Sequence, residues 1–296
     1  MAGNIIELVK ERVVLLDGGM GTELIRHGFS QGDCPELWNI DKPDIIKKIH
    51  LSYFNAGSDT VLTNSFGGNK IKLASQGLED KCYDLNFVSA KLADEAKPER
   101  KFVAGSMGPT GKFLKPHGDS TEEEFISAYA VQAKALTDGG VDFLLIETQY
   151  DLGEAICALK GARESSNLPI FVTMTFNRNP RGFFTIMGNS VSLCIEELEA
   201  QNVPAIGTNC TLDSSDMVDL VKIMREATPL PLIAQANAGQ PSLSSDGEVT
   251  YSQNAEDYVS FIPQMINNGA NIVGGCCGTN PEYIRKMAEI IKKDNV

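Results

Sequence analysis

The 296-residue sequence predicts an α/β protein, a (β/α)8 TIM barrel forming a single domain over residues 1–296. Three observations carry that expectation. Eight short runs rich in apolar and β-branched residues alternate with segments of helical spacing. From Asp17 to Cys276 the runs recur about every 37 residues, room for a strand, a crossover helix and two loops. Most runs are apolar throughout, as in parallel strands covered on both faces. The competing open doubly wound sheet carries a glycine fingerprint after its first strand. The turn here, Asp17-Gly18-Gly19-Met20-Gly21, does not match G-x-G-x-x-G, because position 23 is Glu.

The strands are expected at 13–17, 59–66, 102–107, 143–148, 170–176, 205–210, 232–238 and 272–276. Helices fill the intervals. Pro43 suits a first helical turn, with Ile45, Ile46, Ile49 and Tyr53 on one face and Gly57 beyond the end. Cys82, Leu85, Val88 and Leu92 mark a second helix. A third follows residues 120–124, where Ser120 with Glu123, or Thr121 with Glu124, can form a capping box. Its stripe is Phe125, Ala128, Tyr129, Gln132 and Leu136, with Gln132 the polar exception. The last helix starts at Asn280-Pro281 and buries Ile284, Met287 and Ile291.

Composition excludes whole classes. Hydrophobic residues are 42% and charged residues 22%, enough apolar material for a core and too much for disorder. Lys+Arg number 26 against Asp+Glu 39, a formal charge of -13. That balance opposes nucleic-acid binding and docking on an anionic membrane. No apolar run approaches the ~20 residues of a membrane span. Residues 1–10 lack a signal-peptide core, so the expected location is cytoplasmic. In a reduced compartment, seven cysteines point to metal or catalytic use before a disulfide framework.

A barrel builds its site from the C-terminal strand ends. Those ends hold Asp17, Thr63-Asn64, Ser106, Glu147, Thr175, Cys210, Asn237 and Cys276-Cys277. Gly274-Gly275-Cys276-Cys277-Gly278 is the sharpest feature. Vicinal cysteines in a regular strand face opposite ways, but flanking glycines permit a kink that turns both sulfurs to one ion. Cys210 would complete three ligands, leaving the exchangeable position of a catalytic zinc. Burial of the pair as small hydrophobes, or a vicinal disulfide, stays open on spacing alone. Cys34, Cys82, Cys157 and Cys194 read as packing residues, Trp38 as packing under a loop, and His27, His50 and His117 lack paired metal spacing. Asp17 and Glu147, each ending a buried strand, suit a cationic group such as an α-ammonium, although Asp17 also suits a turn and Glu147 an ion pair. The Gly18-Gly19 turn can present amides to a carboxylate.

Eight segments occur together in a recognisable order: residues 16–24 (LDGGMGTEL), 62–67 (LTNSFG), 108–111 (GPTG), Glu147-Thr148, Met174-Thr175-Phe176, Asn209-Cys210, Asn237-Ala238-Gly239 and 274–279 (GGCCGT). The set resembles the zinc-dependent homocysteine S-methyltransferase family. Within it, the set is most similar to the N-terminal homocysteine-binding module of cobalamin-dependent methionine synthases. The resemblance spans about residue 10 to 292 and implies Zn2+ held by Cys210, Cys276 and Cys277. It implies Asn237 as a candidate fourth ligand without substrate, Asp17 and Glu147 on the homocysteine amino group, and Gly18 and Gly19 amides on its carboxylate.

The activity so implied is methyl transfer to the homocysteine thiol, giving methionine. The chain ends at Val296, so the methyl donor is expected at an unassigned surface or on another protein, such as a methylcobalamin-carrying corrinoid protein. Three alternatives stand beside it. One is a small onium donor such as S-methylmethionine or betaine. Another is transfer in the reverse sense, onto a corrinoid protein. The last is a non-catalytic zinc- or amino-acid-binding barrel.

Overall fold

The computed structural model describes residues 4–30, 32–243 and 249–294. Eight strands form one parallel sheet: β1 (Val14–Leu15), β2 (Thr60–Leu62), β3 (Phe102–Met107), β4 (Phe143–Gln149), β5 (Ile170–Met174), β6 (Ile206–Asp213), β7 (Leu232–Asn237) and β8 (Ala270–Gly275). Their order is β1-β8-β7-β6-β5-β4-β3-β2, the circular order of a nearly closed barrel. Between β1 and β2 the ladder gives way to side chains. Asp59 N–H donates to Leu15 O (2.7 Å), and Asp59 Oδ2 accepts Leu15 N–H (3.1 Å). Asp17 Oδ2 accepts Leu62 N–H (2.8 Å). Burial opposes charge on Asp59, yet Arg12 at 2.7 Å and Lys101 at 3.0 Å hold its carboxyl below its usual range.

Period-two alternation separates two cores. Val14, Leu16, Phe102, Ala104, Phe143, Leu145, Phe171, Ala205, Ile233 and Ile272 pack inside the barrel. Ile5 and Val9, from the helix Ile5–Glu11, join them and plug the N-terminal end. The intervening residues, such as Leu15, Val103, Leu144, Ile146, Val172 and Val273, face the surrounding helices. Two residues beyond the apolar layers, the same inward positions turn polar: Ser106 after Ala104, Glu147 after Leu145, Thr173 after Phe171. At the C-terminal mouth the inward face of the tube therefore turns from apolar to polar.

The helix termini follow their local signals. Pro43–Ala56 opens on proline and ends at Gly57, whose φ of 119° is left-handed. Thr121 and Glu124 form the capping box of Glu122–Gly139, so the Thr121 pairing prevails over Ser120. Gln132 is buried, and its Nε2 donates to Ser65 O at 2.8 Å. No described helix is long and apolar enough to cross a membrane.

His50, on the buried face of Pro43–Ala56, has neither ring nitrogen hydrogen-bonded. Burial lowers it to about 4. An unfolded histidine titrates near ~6.5. Between those values the unfolded chain binds a proton that the folded chain refuses, so stability falls as pH drops from ~6.5 toward 4, by up to about 3 kcal/mol. His50→Phe is expected to gain stability relative to the parent across that window, read from urea midpoints at stepped pH. A pH-independent difference would contradict the assignment.

Candidate metal and amino-acid site

The three cysteines expected to converge do so: Cys210, Cys276 and Cys277 have all their Sγ atoms within 4.8 Å of one another. Backbone geometry at two strand ends accomplishes this. β8 stops at Gly275, and the next two residues stay pinned to β7. Cys276 N–H donates to Ala236 O (2.8 Å), and Cys277 O accepts Ala238 N–H (2.9 Å). β6 carries a register break between Asn209 and Asp213. There Cys210 (φ 63°) and Thr211 (φ 56°) are both left-handed, which non-glycine residues rarely adopt. Thr211 Oγ1 donates to Phe176 O at 2.7 Å, and Thr175 Oγ1 to Asn209 O at 3.1 Å, fixing the bulge.

The donor set fits zinc. Tetrahedral Zn–S bonds of ~2.3 Å place sulfurs about 3.8 Å apart, inside the 4.8 Å within which these three lie. Hydrogen bonds from the other two thiols lower Cys210, while Cys276 and Cys277 are raised because they give those protons to it. Crowding thus favours ionisation at Cys210 and opposes it at the other two sulfurs. Asn237 Oδ1 accepts Cys277 N–H at 3.1 Å. Burial, and Cys277 after it, push the hydroxyl of Tyr251 up to about 12. Its ring lies over Gly278, where a Cβ would come within 2.4 Å of it.

The two acids lie at the same mouth. Glu147 Oε1 accepts Ser106 Oγ (2.5 Å), and Oε2 accepts Asn209 Nδ2 (3.2 Å). Asn209 is itself fixed, since its Oδ1 accepts Thr148 N–H and Thr173 Oγ1, both at 2.8 Å. Burial pushes Glu147 up to about 7; the Ser106 hydrogen bond opposes this and Cys210 adds to it. Asp17 is raised well above its usual value by burial, against the Leu62 amide bond and with Glu147 adding. Its Oδ1 is buried without a partner. No basic side chain forms an ion pair with either acid among the described residues.

The Gly18-Gly19 turn packs directly on the cysteine loop. A Cβ at Gly18 would sit 2.8 Å from Thr279 Oγ1, and one at Gly19 would sit 2.7 Å from Cys276 O. Gly19 N–H donates to Thr279 Oγ1 (3.1 Å) and Thr279 O (3.3 Å), and Tyr53 donates to Gly19 O (3.1 Å). One of the two amides expected to face a carboxylate is therefore held by Thr279.

Tyr251, Thr22 and Thr279 went unassigned in the sequence reading. The threonines lie within the two glycine motifs, residues 16–24 and 274–279, a signal of position only, and Tyr251 gives none. Cys34, Cys82, Cys157 and Cys194 are buried apart from the cluster, as expected. Trp38 is buried, with Phe29 edge-on at 5.5 Å.

Comparison with known proteins agrees with this geometry. The profile of the family described as Homocysteine S-methyltransferase matches residues 14–291. The methionine synthase of Mycobacterium leprae (strain TN) is 31% identical over 312 residues, covering 99% of this chain and 25% of that protein. That of Mycobacterium tuberculosis (strain ATCC 25618 / H37Rv) is 31% identical over 308 residues, covering 97% and 25%. The chain thus spans about a quarter of the length of these relatives. The metallated form of the homocysteine methyltransferase MmuM from Escherichia coli superposes with a TM-score of 0.78 at 25% identity, covering 96% of this chain and 98% of that one. A methyltransferase from Methanosarcina mazei, at 10% identity and a TM-score of 0.64, covers 99% and 98% and shares the fold. The chain therefore belongs to the homocysteine S-methyltransferase family.

Proposed function

We propose that this barrel binds homocysteine at a zinc centre and transfers a methyl group to its sulfur, giving methionine. The observation that carries the reading is the shared mouth: three clustered sulfurs beside two buried acids that lack a cation. Cys210, Cys276 and Cys277 would hold the ion, with Asn237 lending its amide oxygen at the fourth position until substrate arrives. Zinc, when bound, supplies positive charge that favours a thiolate at neutral pH. Asp17 and Glu147 hold the α-ammonium, which supplies the charge their burial lacks. The Gly18-Gly19 turn receives the α-carboxylate. Ser106 and Asn209 keep Glu147 aimed into the mouth. The sulfur attacks the donor's methyl carbon and the donor leaves with the bonding pair, so no residue acts as a base on carbon.

The methyl comes from methylcobalamin on a separate corrinoid protein. The chain matches a quarter of each methionine synthase, which leaves those relatives room for a methyl carrier beyond this barrel and so supports a carrier-bound donor. The match to 98% of the MmuM chain, a homocysteine methyltransferase of about this barrel's size, favours the second reading, a small onium donor such as S-methylmethionine or betaine that needs no carrier domain. Incubating zinc-loaded protein and homocysteine with methylcobalamin, S-methylmethionine, betaine or methyl-tetrahydrofolate, and measuring methionine, separates them. Methionine from methylcobalamin is the expected result; methionine from an onium compound alone overturns the donor assignment.

Two variant sets test the site. Cys277→Ala is expected to lose stoichiometric zinc and methionine formation while keeping the parent's circular dichroism. Full zinc content would remove the cluster from the mechanism. Asp17→Asn and Glu147→Gln each lose a charged partner worth on the order of 1.5–3 kcal/mol. Calorimetry should show homocysteine affinity falling at least tenfold with zinc content unchanged; parallel losses of both would make the acids structural.

A further inference from the structure

We propose that Thr279 is a positioning residue that sets substrate length. Its hydroxyl fixes the distance between the Gly18-Gly19 turn and the cysteine pair, and so determines how long a thiol side chain fits. This rests on the reading that the turn receives the α-carboxylate.

Thr279 is fully buried. Its Oγ1 donates to Cys276 O at 2.7 Å and accepts Gly19 N–H at 3.1 Å. One hydroxyl thus links the carbonyl of a metal-ligand candidate to an amide of the substrate turn. The main chain repeats the link: Thr279 N–H donates to Cys276 O (3.2 Å), and Thr279 O accepts Gly19 N–H (3.3 Å). Glycines clear the space it fills, since a Cβ at Gly275 would lie 2.2 Å from Oγ1 and one at Gly18 2.8 Å. Thr22 adds a second strut, its Oγ1 accepting Gly278 N–H at 2.9 Å. Pairing between β1 and β8 ends at Gly275 N–H to Asp17 O (2.9 Å), and beyond it these threonines hold the two loops together.

Homocysteine and cysteine differ by one methylene between Cα and sulfur. A site anchored at both ends of the molecule measures that difference only if the anchors keep their spacing. One methylene is worth roughly 10–200-fold in discrimination when the site is well fixed. The hydroxyl of Thr279 touches neither end of the substrate and acts through the two loops it joins.

The test is calorimetry on zinc-loaded protein with L-homocysteine, L-cysteine and 3-aminopropanethiol, which is homocysteine without its carboxylate. The parent should prefer homocysteine to cysteine by at least about tenfold. Thr279→Val should bring that ratio within about threefold, keep one zinc per chain and bind 3-aminopropanethiol within twofold of the parent. Thr279→Ser should restore the ratio. Should Thr279→Val lose its fold or its zinc, Thr22→Val removes the other strut and is expected to narrow the same ratio. Unchanged ratios, or parallel weakening of all three thiols, overturn the proposal. Equal binding of homocysteine and 3-aminopropanethiol by the parent refutes the carboxylate reading beneath it, and the proposal falls with that reading.

Discussion

Cys210 and Cys276 stand at the ends of β6 and β8 with β7 between them. Strands two apart in a sheet lie about 9–10 Å from each other, whereas the sulfurs lie within 4.8 Å. The whole site depends on crossing that intervening strand. The left-handed bulge at Cys210 and Thr211 crosses it from one side, and the turn after Gly275 from the other. Left-handed conformations at non-glycine residues cost on the order of 1–3 kcal/mol each and persist where the surroundings fix them. Here Thr175 and Thr211 fasten the bulge, and Asn237 at the end of β7 accepts the Cys277 amide on the other side.

Charge explains why this mouth suits its ligands. Glu147, Asp17 and the three sulfurs are carried at the polar end of an apolar tube with no basic partner bridging either acid among the described residues. Burial resists ionisation of the acids, and crowding resists ionisation of the second and third thiols. A divalent ion at one end and an ammonium at the other relieve both penalties. The carboxylate of Asp17 that we propose for the ammonium also closes the β1/β2 seam through Leu62, so under that reading ligand recognition and barrel closure share a residue.

Much of this was legible in the sequence because it is written in short-range signals. Apolar runs marked all eight strands, Thr121 and Glu124 marked a capping box, and Gly57 marked a helix end. The cysteines were legible as a motif, since two thiols between glycines are a poor choice for a core. The long-range bonds were not. Nothing in the sequence places Tyr251 over Gly278, or shows that Gly19 spends its amide on Thr279 260 positions away. Strand ends also moved: β1 and β2 are shorter than their apolar runs because side chains take over their pairing, and β6 runs past Cys210 because its bulge keeps a later residue paired.

X-ray absorption at the zinc edge of the loaded chain addresses the central claim most directly, since it counts the sulfurs on the ion. The account predicts three sulfur neighbours near ~2.3 Å. Two or fewer sulfurs, or a shell of nitrogen and oxygen alone, would contradict it.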